Sequence, residues 1–127
     1  EAELLQGPAS SCRMTLEPAH DATAQCRRLG RALYDRLSKQ HVDRVYLAGL
    51  WWDDDAKAVA DTLAWFKARK IEVVLIGPAP QYEQSLPRLL ALAAHLNQPD
   101  LPVRRRKHAR DAVDGIMAAE ARKAGVP

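Results

Sequence analysis

Short apolar runs alternate along this chain with stretches in which apolar residues return every three or four positions. Leu4 and Leu5 begin a first strand that ends near Gly7-Pro8. Residues 9–19, containing Ser, Pro and Thr, read as a loop. From Asp21 to Lys39, Ala22, Cys26, Leu29, Leu33 and Leu37 recur at helical spacing. A second strand covers Arg44 to Leu50. A helix over 54–69 follows, with Ala56, Val59, Ala60, Leu63 and Phe66 on one face. The third strand, Ile71 to Ile76, is ended by Gly77-Pro78-Ala79-Pro80. Residues 86–97 form another helix, with Pro87 in its first turn, where a missing N–H costs nothing. Its predicted inward side is Leu86, Leu89, Leu90, Ala93 and Leu96. A last helix spans 106–124, with Ala109, Ala112, Val113, Ile116 and Met117 inward, and Gly125 is placed to stop it.

The second and third strands are near-continuous apolar runs, as suits strands covered on both faces. Strands alternating with helices predict a parallel sheet joined by right-handed crossovers. The expected fold class is therefore α/β, a three-layer flavodoxin-like parallel sheet with helices on both faces. Val126-Pro127 reads as the entry to a further strand, and nothing precedes the first strand. The expectation is one partial domain, residues 1–127, truncated at both ends.

Composition changes this picture little. With 127 residues, 47% hydrophobic and 28% charged, the chain suits one soluble domain with a real core. No apolar run approaches the roughly 18 residues of a membrane span. There is neither a basic-then-apolar leader nor an initiator Met, so the chain reads as a piece of something longer. The net charge of +3 sits largely in Arg104-Arg105-Arg106-Lys107. No aromatic residues interleave with that run, so it reads as a solvated surface and not as a nucleic-acid site. Cys12 and Cys26 fit no zinc spacing, and no His cluster completes a metal site. They are either two buried thiols or one disulfide. No phosphate-binding glycine loop is present, and no cofactor or metal is implied.

The stretch VYLAGLWWDDD, residues 45–55, carries the candidate chemistry. In parallel α/β sheets, ligand sites gather at the carboxyl ends of strands. Gly49 permits close backbone approach, and Trp51 and Trp52 offer apolar walls with one N–H each. One indole is expected over the sheet end and one on a pocket. Asp53 or Asp54 is expected to cap the next helix. The turns GPASSC (7–12) and GPAPQYEQSLPRLL (77–90) share the same edge.

On these residues the chain resembles the SGNH domain fused to the membrane acyltransferase-3 family of bacteria, which O-acetylates cell-envelope polysaccharides. The likeness runs through VYLAGLWW and IEVVLIGPAPQYEQSLPRLLALA. LLQGPASSC, with a second Cys opening a helix, is similar to the family's Ser-Gly-Cys turn and later Cys. The Gly-Pro-x-Pro to Leu-Pro-Arg segment is the most specific part, and the likeness covers nearly the whole chain. It implies an SGNH-like sheet and a Cys12–Cys26 disulfide in a periplasmic domain of an inner-membrane protein. It also implies an N-terminal membrane acyltransferase domain in the parent. Acetyl donor and polysaccharide acceptor would be met through that full-length protein.

The departures are informative. The family's Gly-Asp-Ser nucleophile motif and Asp-x-x-His base motif are both missing. Ser11 stands where an oxyanion-hole Gly is expected, and Gly49 to Trp51 lack the family's Asn. Ser11, Gly49 and Trp51 remain as oxyanion- or acceptor-side candidates, with no catalytic residue in the chain. A self-contained Ser-His-Asp set is not supported. Ser10 and Ser11 sit at the right edge, but His20 starts a helix, His41 lies at the opposite edge, His95 ends a helix and His108 belongs to the basic run. The chain alone is expected to be inactive and to self-associate through its cut sheet edges. The alternative is a non-catalytic flavodoxin-like domain that binds a small molecule or regulates.

Overall fold

The computed structural model describes residues 12–19 and 21–127. The expected strand at Leu4-Leu5 lies outside the described residues. Helix α1 (Ala24–Lys39) begins three residues later than its periodicity predicts, because the Thr23 hydroxyl accepts from the Cys26 N–H and so caps it. Strand β1 (Arg44–Ala48) leads through a 3-10 turn at Asp53–Asp55 into α2 (Ala56–Ala68). Strand β2 (Glu72–Ile76) then pairs with β1 in parallel, Val45 opposite Val73 and Leu47 opposite Leu75. The remainder is β3 (Gln81–Tyr82), α3 (Leu86–His95), α4 (Leu101–Arg104), β4 (Arg106–Lys107) and α5 (Asp111–Ala124).

Paired residues of a sheet share a face, so Val45, Leu47, Val73 and Leu75 point one way. That face packs with Val59, Leu63 and Phe66 of α2 and with Val113 and Met117 of α5. α1 rests on α2 through Tyr34, whose ring meets Trp65 edge-on at 5.2 Å and Phe66 at 6.0 Å. The opposite face carries Tyr46 at 61% exposure and Ile76 at 45%. The expectation of strands covered on both faces thus gives way, among the described residues, to a sheet covered on one. Gly125 ends α5 in the left-handed conformation, and the Pro127 carbonyl then accepts from the Leu75 N–H at 2.9 Å. The chain therefore reaches the outer edge of β2, where a further strand was expected.

Two other expectations change. The last helix starts at Asp111 and not at 106, because Arg106 and Lys107 pair antiparallel with Tyr82 and Gln81. Ala109 and Ala112 are accordingly exposed. On α3 only Leu89 and Ala93 are buried, while Leu86, Leu90 and Leu96 face solvent. The reason is that α3 packs chiefly on four-residue α4, too small to cover a full leucine face.

Cys12 and Cys26 form a disulfide, with Cα atoms 5.5 Å apart. It ties the loop before α1 to the helix's first turn. Reducing it, or changing both residues to Ser, should lower stability by roughly 3 kcal/mol in the chain-entropy picture. Urea unfolding with and without reductant measures this. Coincident curves would show that the bridge is dispensable.

Candidate functional site at the strand ends

The extended backbone after β1 sends consecutive side chains to opposite sides, and the two tryptophans divide accordingly. Trp51 is completely buried and its Nε1–H donates to the Ile76 carbonyl at 2.7 Å. Burial of an indole requires such a partner, since an unpaired N–H in the core is costly. A Cβ on Gly49 would stand 3.0 Å from the Trp51 ring. Gly49 is thus needed because the indole lies against its backbone. Trp52 is 47% exposed. The Arg110 guanidinium lies 3.9 Å from its ring centroid, and Arg110 Nη1 donates to the Trp51 carbonyl at 2.6 Å. One face of the Trp52 indole is therefore backed by a cation fixed to the neighbouring residue.

The three aspartates have distinct environments. Asp53 and Asp54 are exposed, and Asp55 is buried. The expectation that Asp53 or Asp54 caps the helix is corrected: the Asp55 carboxylate reaches back and accepts from the Trp52 N–H at 2.8 Å. Its other oxygen stands 3.1 Å from Arg13 Nε. Arg13 also pairs with Asp21. Burial lifts the Asp55 carboxyl above its ordinary value, against the opposing pull of the Trp52 N–H and Arg13.

Arg13 belongs to a loop held at this edge by further bonds. The Tyr34 hydroxyl donates to the Met14 carbonyl at 2.7 Å, and its burial pushes the phenol's pKa up. The Leu16 N–H donates to Thr62 Oγ1 at 2.8 Å, and that hydroxyl donates in turn to the Ala58 carbonyl. Ser11, the first site candidate, lies outside the described residues. Cys12, which follows it, is fixed by the disulfide.

A pair that sequence reasoning passed over stands at the β4–α5 junction. His108 Nδ1 lies 2.8 Å from Asp111 Oδ2, and Arg106 Nη2 donates to Asp111 Oδ1 at 2.8 Å. The His108 bond, followed by Arg106, holds the Asp111 carboxyl below its usual range. The signal was the His-x-x-Asp spacing, one turn apart at a helix start, the reverse order of the motif sought. Nearby, Asp114 Oδ1 occupies the space beside Gly77, 2.6 Å from where a Cβ would sit. The α5 entrance therefore closes against the ends of both strands. Among the described residues, no three His, Cys, Asp or Glu side chains gather as a metal site would require.

The indoles differ in what they hold up. Trp51→Ala should cost about 3–5 kcal/mol through cavity and lost hydrogen bond. Trp52→Ala should cost about 1 kcal/mol or less, the worth of an exposed cation–π contact. Urea midpoints separate the two, and equal losses would refute the division. The two carboxyls should act oppositely on acidification. Asp111 titrates lower in the fold than its ordinary 3.8. It therefore stabilises above that value, and the contribution is lost as pH falls below it. Asp111→Asn should flatten the acid loss there. Asp55 titrates higher than 3.8 when folded. Its contribution is present below that value and lost as pH rises through the folded one. Asp55→Asn should therefore lose more stability than the parent on acidification toward 3.8. Parallel stability–pH curves for either variant and the parent would refute its assignment.

The family model described as SGNH domain (fused to AT3 domains) matches residues 2–126. No curated protein and no solved structure matches the chain. The match spans nearly the whole chain, and the chain belongs to this family of SGNH domains (fused to AT3 domains).

Proposed function

We propose that this chain is the central part of an SGNH-type O-acyltransferase domain that passes acetyl groups to hydroxyls of a cell-envelope polysaccharide. The observation that carries the proposal is the family match over residues 2–126. The same reading makes the domain periplasmic and places it beside a membrane acyltransferase domain of the parent protein. Among the described residues no helix is long and apolar enough to cross a membrane. For the complete domain the same reading expects a three-layer sheet, whereas the described residues cover one face of β1 and β2.

Acetyl transfer through an acyl-enzyme needs a nucleophile, a base that takes its proton, and donors for the oxyanion in one geometry. The sequence holds neither Gly-Asp-Ser nor Asp-x-x-His. The nucleophile and base are therefore proposed to come from outside these residues. The chain's own share is the edge made by Ser11, Gly49 and Trp51. Because Trp51 is buried, its proposed part is to set the course of the Gly49–Trp52 backbone from below. Contact with the acceptor falls to exposed Trp52, backed by Arg110. Among the described residues no serine or cysteine is bonded to His108, so those residues hold no Ser-His-Asp set on the His108–Asp111 pair.

The chain should show no turnover of 4-nitrophenyl acetate above the buffer rate. A Ser11→Ala variant serves as control. Turnover that disappears in this variant would make Ser11 a nucleophile and overturn the proposed division of labour.

A further inference from the structure

We propose that the Cys12–Cys26 disulfide is a redox switch that acts through Arg13 and Asp55 on the turn carrying Trp52. The links of this path are in direct contact. Cys12 precedes Arg13 in the chain, and Arg13 Nε stands 3.1 Å from one Asp55 oxygen, the two side chains being 9% and 4% exposed. The other Asp55 oxygen accepts from the Trp52 N–H at 2.8 Å. Arg13 Nε is enclosed yet makes no aligned hydrogen bond among the described residues. Its pairing with Asp55 therefore depends on where the backbone holds the guanidinium. That backbone is held from two sides. Beyond Arg13, the Met14 carbonyl accepts from the Tyr34 hydroxyl and the Leu16 N–H donates to Thr62. Before Arg13, the tie among the described residues is the disulfide. Opening the bridge removes one of the two supports. Asp55 is then left buried and poorly paired, a costly state that is relieved by moving the carboxylate and the turn it holds.

The bridge is placed where it can be opened. Neither cysteine is fully buried. Cys26 is the third residue of α1, a 16-residue helix with no acidic side chain in its first turn, and Arg27 and Arg28 follow it. A helix N-terminus and cationic neighbours stabilise a thiolate, which makes Cys26 the better leaving group. The reductant is a dithiol. One of its thiolates attacks Cys12 Sγ, the S–S bond breaks, and Cys26 departs as a thiolate. The dithiol's second sulfur then displaces Cys12 from the mixed disulfide and closes its own disulfide. Two electrons pass to the protein. Of the two protons the dithiol gives up, one ends on Cys12 and the other goes to water. What this does to an acceptor resting on Trp52 depends on the acetyl-transfer reading above, whereas the switch itself does not.

Two-dimensional amide NMR of the whole chain, oxidised and then treated with dithiothreitol without denaturant, tests the switch. Reduction should move the Trp52 N–H resonance upfield, as its bond to the Asp55 carboxylate weakens, while the β1–β2 ladder keeps its shifts. Arg13→Gln in the oxidised protein should reproduce that move. Should this variant fail to fold, Arg13→Gln combined with Asp55→Asn removes both charges, and its Trp52 resonance should not respond to reduction. In the reduced protein, iodoacetamide at neutral pH should alkylate Cys26 severalfold faster than Cys12. Any of the following overturns the proposal: a bridge that opens only in urea, a Trp52 resonance unmoved by reduction, an undiminished response in the double variant, or equal alkylation of the two cysteines. Collapse of the whole spectrum on reduction would likewise overturn it, by making the bridge a staple of the fold. None of these outcomes bears on the acetyl-transfer reading.

Discussion

A buried indole must bury its N–H as well, and here that requirement ties the sheet together. Trp51 lies just past β1, yet its hydrogen bond goes to Ile76, the last residue of β2. The bond joins the two strands beyond their ladder. The indole occupies the space beside Gly49, which is why the chain turns there without a side chain. Its backbone carbonyl takes the Arg110 guanidinium, which stands immediately before α5. Both strands and the last helix are thus fixed relative to one residue. The outward setting of Trp52 follows, because in extended chain the neighbour of a buried side chain points away.

A second set of contacts makes the loop at 12–19 ordered despite its lack of regular structure. Loops survive at a domain edge when their backbone groups find partners. The Met14 carbonyl has Tyr34 and the Leu16 N–H has Thr62. Arg13 has Asp55, which itself holds the Trp52 N–H. A continuous path runs from the disulfide through Arg13 and Asp55 to the exposed indole. Any ligand gripping Trp52 would meet a platform braced from the first turn of α1.

What the sequence disclosed follows from the length of each signal. The long apolar periodicities of α1, α2 and α5 and the runs of β1 and β2 were legible because packing on a common core repeats over many residues. The two-residue strands β3 and β4 are too short for any period to register. On α3, five apolar positions at helical spacing predicted a buried face, but periodicity reports only that a face is apolar. Whether anything covers it depends on α4, and four residues cover little. Adjacent Trp51 and Trp52 are chemically identical, and likewise the three aspartates. Only register in the fold separates the buried member from the exposed ones. The disulfide was legible through family resemblance, since two cysteines alone leave both paired and free thiols open.

The β4–α5 junction is organised around one carboxylate. Asp111 receives His108 on one oxygen and Arg106 on the other. Arg106 belongs to the basic run leading from the α3–α4 corner, and Arg110, one residue before Asp111, backs the Trp52 indole. Asp114, one turn further along, is seated against Gly77 at the end of β2. Residues 110–114 are thus tied to both strand ends, by the Arg110 bond to the Trp51 carbonyl after β1 and by Asp114 beside Gly77 after β2.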